Sequence, residues 1–172
     1  QIMFNKEFLE SHDIIPAFMP VDLSADVNTG DRVNLQNYDR CLFVLLASIG
    51  TAGDDPVITA QQHTAAASGS SKPLNFRRIR HKVGATDIDA TGQFTLVEQS
   101  EAASFDTDSI DGAENQALIA IEVMSNDLDS DNGFTFVSFN VADVGSNAQL
   151  GAGFYILQGA GYVNEIQQSS IA

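Results

Sequence analysis

The chain has 172 residues, of which 44% are hydrophobic and 18% charged, a composition that fits one globular domain and argues against disorder. Its 23 acidic residues against 8 basic ones give a net charge of -15, which argues against nucleic acid, whose binding needs cations, and against anionic membrane surfaces. The single cysteine, Cys41, excludes a disulfide-stapled framework, and no apolar run reaches membrane-spanning length.

Residues 1–12 (QIMFNKEFLESH) place Met3, Phe4, Phe8 and Leu9 on one side of a short helix. Such a helix does not stand alone in water, so these side chains need a surface on this domain or on a neighbour. Residues 13–23 (DIIPAFMPVDL) are extended, because Pro16 and Pro20 push Ile15 and Met19 out of the helical region. Ile14, Ile15, Phe18 and Met19 make this segment strongly apolar for a sheet edge, and such edges are normally covered. Residues 1–23 therefore read as an N-terminal arm with an extended segment, and 24–172 as a single β domain.

Residues 41–47 (CLFVLLA) are apolar throughout and predict a strand buried on both faces. Residues 50–56 (GTAGDDP) carry turn chemistry, and residues 57–62 (VITAQQ) return as a second strand, so the two are expected to form a hairpin within one sheet. Residues 64–71 (TAAASGSS) read as a flexible small-residue loop. Residues 74–83 (LNFRRIRHKV) form a strand with Leu74 and Phe76 on one face and a change of phase before Ile79. Strands at 93–99 and 117–124 (ALIAIEVM) flank an acidic loop over 100–116. An acidic turn at 126–133 ends in the Asn-Gly hairpin signal. Residues 134–141 (FTFVSFNV) follow, with Phe134, Phe136 and Val137 on one side against Thr135, Ser138 and Asn140, then a last full strand at 154–158 and a short edge strand at 162–166. About eight strands between Gly, Asp, Asn and Ser turns predict an all-β, antiparallel sandwich or barrel, with the jelly roll as the natural eight-strand case.

Chemistry-bearing patterns are sparse. Lys72, Arg77, Arg78, Arg80 and Lys82 gather five of the eight cations into eleven residues, which points either to pairing with carboxylates on neighbouring strands or to a patch that meets an acidic surface. Asp127, Asp129 and Asp131 have the alternation of a calcium loop, but Asn132 and Ser138 stand where that loop needs Gly and Glu, so an acidic turn is the expectation and no metal or cofactor is implied. His12, His63 and His81 are scattered, and no nucleophile elbow or His-Glu-x-x-His pair is present. Cys41 lies inside an apolar strand, a poor setting for a nucleophile. A non-enzymatic protein is expected; two carboxylates distant in sequence would leave no local trace of a glycosidase.

The succession Val21-Asp22-Leu23, Gly30-Asp31, Asn37-Tyr38, residues 50–56, Leu74-Asn75-Phe76, residues 143–150 (DVGSNAQL), Gly151 and Tyr155-Ile156-Leu157 resembles small head-associated proteins of tailed bacteriophages. The likeness runs from about residue 14 to 162 and does not include the first dozen residues. It implies a capsid decoration, or cement, protein on the outer surface of the virion, clamping copies of the major capsid protein and associating with itself, commonly as a trimer. On that reading Met3, Phe4, Phe8, Leu9, Ile14, Ile15 and Phe18 of the arm and Arg77, Arg78, Arg80 and Lys82 are the expected contact residues. A tail or neck component and a glycan-binding adhesion module are the alternatives.

Overall fold

A computed structural model describes residues 7–48, 51–84, 88, 92–110, 115–143 and 145–159. The expectations for Met3, Phe4 and the edge strand at 162–166 lie outside the described residues. Two antiparallel sheets of six strands pack face to face as a β-sandwich. The larger has the order β1 (His12–Asp22), β12 (Leu150–Gln158), β4 (Arg40–Ser48), β10 (Gln116–Met124), β7 (Phe76–Gly84) and β8 (Thr95–Ala102). In the smaller, β11 (Phe136–Val141) lies between β5 (Val57–His63) and the short strands β2 (Asn28–Thr29) and β3 (Val33–Asn34). The other edge of β5 carries β6 (Ser71–Pro73) and β9 (Ser104–Asp106).

The pairing is that of one long hairpin wound into a sandwich. β1 pairs with β12, β2 and β3 with β11, β4 with β10, and β5 with β6, which is the jelly-roll order. Its eight strands appear once β2 and β3 are taken as one broken strand, and β6 and β9 as another. The second break is an insertion. Ser71 to Pro73 oppose His63 to Gln61, Ser104 to Asp106 oppose Thr59 to Val57, and between them Ala60 bonds Leu74 and Ala103 at 3.0 and 2.9 Å. Residues 75–102 leave the strand at that point and return to it. Their β7–β8 hairpin crosses to the larger sheet and extends it beyond β10.

Strands β4 and β5 do not form the expected hairpin; they lie in different sheets. Residues 51–56 are a corner between sheets. The Asp54 N–H bonds the Thr51 carbonyl at 3.1 Å, the Gln149 side-chain amide donates to the Asp54 carbonyl at 3.0 Å, and the Gln149 N–H donates to the Asp22 carboxylate at 2.9 Å. Gly, Asp and Pro serve such a corner as well as a hairpin, so local chemistry does not separate the two. The 100–116 loop also holds more structure than expected: β9 and a 3₁₀ turn at Thr107–Ile110 are anchored by buried Phe105 and Ile110.

The core lies between the sheets. Cys41, Phe43, Leu45, Ile119, Ile121 and Tyr155 of the large sheet meet Ile58, Ala60, Val137, Phe139 and Val141 of the small one. Phe43 stacks on Phe139 with ring centroids 4.7 Å apart, and Phe76 and Tyr155 tilt against the same ring. The core-facing residues of β11 are thus Val137, Phe139 and Val141; of the residues grouped from sequence, Val137 enters the core while Phe136 stands half-buried on the other side. β1 closes one edge of the large sheet, where Pro16 and Pro20 are tolerated, and its register with β12 breaks between Pro16 and Phe18 and between Phe18 and Val21. Residues 12–22 of the expected arm are therefore part of the sandwich.

A contact at Phe139 ties the sheets through its backbone. Ala60 turns its N–H and carbonyl toward β6 and β9, so its partner Phe139 has no ladder bonds to β5 and faces the gap between β2 and β3. There the Phe139 carbonyl accepts from Gly30 N–H at 3.1 Å, and the Phe139 N–H donates to the Tyr155 hydroxyl at 3.0 Å. A Cβ on Gly30 would overlap both the Phe139 carbonyl and the Tyr155 hydroxyl, which explains the glycine.

Candidate interaction face on the large sheet

Alternation along the strands separates two faces. In β4 and β10 the odd-numbered residues enter the core, so Leu42, Val44 and Leu46, and Leu118, Ala120 and Met124, lie on the outer face. Leu150, Ala152, Phe154 and Ile156 of β12 and Ile14 of β1 continue it by register. Val44 and Ala120 are buried among their neighbours, while Leu46 is 48% exposed, Ile14 50% and Leu150 66%. Residues 41–47 were expected to be covered on both faces; this chain covers one. A strand composed for two-sided burial with one side open marks a contact surface.

The inserted hairpin flanks this apolar field with cations. Arg78, Arg80 and Lys82 alternate on the outer face of β7, because Ile79, His81 and Val83 point inward. Arg78 Nε donates to Glu98 Oε1 on β8 at 3.1 Å, and Lys82 Nζ stands 4.8 Å from the centre of the Phe94 ring. Arg80 lies in register between Ala120 and Leu96, and no ion pair or hydrogen bond holds its guanidinium among the described residues. Intramolecular pairing therefore accounts for Arg78 and also for Lys72, which pairs with Asp129, but not for Arg80 or the exposed Arg77. An open groove of ≈ 630 Å³ runs across this end of the face. It is lined by Leu42, Ala120 and Met124, by Arg77, Arg78 and Arg80, and by Glu98, Glu101, Glu122 and Asp127, with Glu122 between Ala120 and Met124 and opposite Leu42.

The arm residues divide. Phe8 and Leu9 are exposed on a 3₁₀ turn at Phe8–Glu10 rather than on the expected helix, and the Phe8 ring stacks on His12 with centroids 3.9 Å apart. Ile14 joins the outer face. Ile15, proposed from sequence as a contact, is 4% exposed and belongs to the core, because it opposes Tyr155 on the inward side of the sheet. Phe18 is half-buried against the core and lies over Gly153, where a Cβ would crowd its ring. These two side chains pack inside the chain.

The remaining polar chemistry is internal. His63 is buried, with Nδ1 at 2.7 Å from Ser71 Oγ and Nε2 at 2.9 Å from Ser138 Oγ; burial and the nearby Arg32 charge push its pKa down to about 4. Arg32 Nη1 donates to the Ala65 and Ser68 carbonyls, both at 3.0 Å, so the small-residue loop is clamped. Asp129 is held by Lys72 and by the Asn132 amide, and the Lys72 hydrogen bond lowers its pKa. These contacts occupy the carboxylate that the calcium-like spacing offered. Burial raises the Cys41 thiol well above its ordinary value, which leaves it unreactive when folded.

No protein-family model and no curated protein sequence matches the chain.

Proposed function

We propose that this chain is a non-enzymatic structural protein of a tailed-phage virion, a decoration protein that docks on the outside of the capsid and stabilises the shell. The observation that carries the reading is the outer face of the larger sheet, apolar from Ile14 to Leu118 and flanked by Arg78, Arg80 and Lys82. A rigid sandwich with one sheet face left open is suited to clamping other proteins, and the sequence resemblance supplies the particular setting. Binding that favours one state of the shell stabilises that state by mass action.

The test is the molar ratio of this protein to the major capsid subunit in purified virions, by quantitative mass spectrometry. A ratio near unity or a simple fraction is expected. A trace but reproducible ratio would assign the chain to the neck or tail, and absence from virions would overturn the virion reading.

A further inference from the structure

The occupant of the open face can be narrowed by charge. The chain carries 23 acidic residues against 8 basic ones, so a surface chosen at random is acidic. On β4, β10, β7 and β8 the balance reverses. The charged residues of these four strands are Arg40, Arg77, Arg78, Arg80 and Lys82 against Glu98, Glu101 and Glu122. Two of the three carboxylates are already engaged, Glu98 by Arg78 at 3.1 Å and Glu122 by Arg40 at 3.3 Å. Arg80 is left over, seated between Leu96 and Ala120 on an apolar floor. The groove itself is mixed in charge, with Arg77, Arg78 and Arg80 beside Glu98, Glu101, Glu122 and Asp127, so the cationic excess belongs to the strands as a set.

We infer that the outer face of the large sheet takes an acidic protein surface with an apolar centre, and that Arg80 is the anchor for a partner carboxylate. The inference rests on the docking reading above and adds the chemistry of the partner. A guanidinium fits this role: its charge persists at any working pH, its donors match a carboxylate in pairs, and its stem covers neighbouring apolar surface. With aliphatic neighbours on both sides, a docked pair would be shielded from water, where charge pairing discriminates between partners most strongly. The same arrangement disfavours a basic partner at this face, although the net charge of the whole chain would attract one.

That opposition supplies the test. The ¹⁵N-labelled full chain is titrated with a synthetic peptide of alternating Leu and Glu, and separately with its Leu–Lys counterpart. The Leu–Glu peptide is expected to shift amides of β4, β10 and β7 saturably, and Arg80→Glu to weaken that binding by about tenfold or more. Arg80→Lys should retain part of it, and rising salt should weaken it. Arg80 is exposed, so its variants keep the fold, which the same spectra verify. Equal binding of the Leu–Lys peptide at this face, no binding of the Leu–Glu peptide, or unchanged binding by Arg80→Glu would overturn the inference. So would concentration-dependent self-association that Leu46→Glu abolishes, since a second copy would then own the face. Each of these outcomes leaves virion occupancy to be decided by its own measurement.

Discussion

Tyr155→Phe isolates one hydrogen bond that joins the two sheets, from the Phe139 N–H to the Tyr155 hydroxyl. The ring stays, with its contacts to Phe43 and Phe139, and only the hydroxyl is lost. That hydroxyl accepts from the Phe139 N–H at 3.0 Å, in a position where the backbone of β5 is turned away and Phe139 is fully buried. The variant therefore leaves a buried N–H without an acceptor, which costs about 1–3 kcal/mol, more than the net worth of an ordinary hydrogen bond. For a chain of this length the loss corresponds to roughly 2–12 °C in Tm. Urea denaturation should show a lower midpoint at unchanged slope, because the surface exposed on unfolding is the same. Gly30→Ala should destabilise separately by crowding the same hydroxyl and carbonyl, and the double variant should lose less than the sum, since removing the hydroxyl relieves part of the overlap. A Tyr155→Phe protein within about 0.5 kcal/mol of the wild type would refute the account of this contact.

Stability should fall as pH drops from about 6.5 toward 4. His63 binds a proton at 6.5 when unfolded but at about 4 when folded, so the unfolded state takes up more protons across that window. The expected loss is about 2 kcal/mol by pH 5, read from thermal or urea unfolding across the range. His63→Gln should be less stable at pH 7 but show a flatter profile between pH 7 and 5, with the slope that remains coming from His81, whose pKa burial also lowers. An unchanged slope would contradict the assignment. Arg32→Ala removes the donors to Ala65 and Ser68 and should speed limited proteolysis within residues 64–70 while leaving the sandwich intact; equal resistance would show that the clamp is not what orders the loop.

Much of the sandwich is visible in residue patterns, because strand periodicity and turn chemistry are local. The phase change before Ile79 is a case in point: the register between β7 and β8 shifts between Phe76 and Arg78, which brings both Phe76 and Ile79 into the core. Sheet membership is not local. Residues 51–56 look like a hairpin turn, and only the distant partners Gln149 and Asn147 show that they form a corner. Residues 51–56 and 145–150, which carry much of the resemblance, meet at that corner, so their residue types answer to the fold. The insertion that splits one strand into β6 and β9 is likewise hidden, since two three-residue strands have no periodicity of their own.

The interaction face lies between these cases. Its signal is present in residues 41–47 and 117–124, apolar at nearly every position, but two-sided burial within one chain and burial against a partner look the same in sequence. Arg78 and Arg80 are also equivalent as residue types. Their difference comes from Glu98, which the β7–β8 register places opposite Arg78 and not opposite Arg80. Ile14 and Ile15 are adjacent and alike, yet alternation sends one outward and the other into the core.

The central claim is that the outer face of the large sheet is where this protein docks, and Leu46→Glu tests it most directly. Leu46 is 48% exposed at the middle of that face, so the charge should leave stability nearly unchanged in the free protein. The measurement is occupancy of the variant on purified shells, beside the wild type at equal concentration. Loss of occupancy with unaltered unfolding behaviour is the result predicted, and full occupancy would place the contact elsewhere on the molecule.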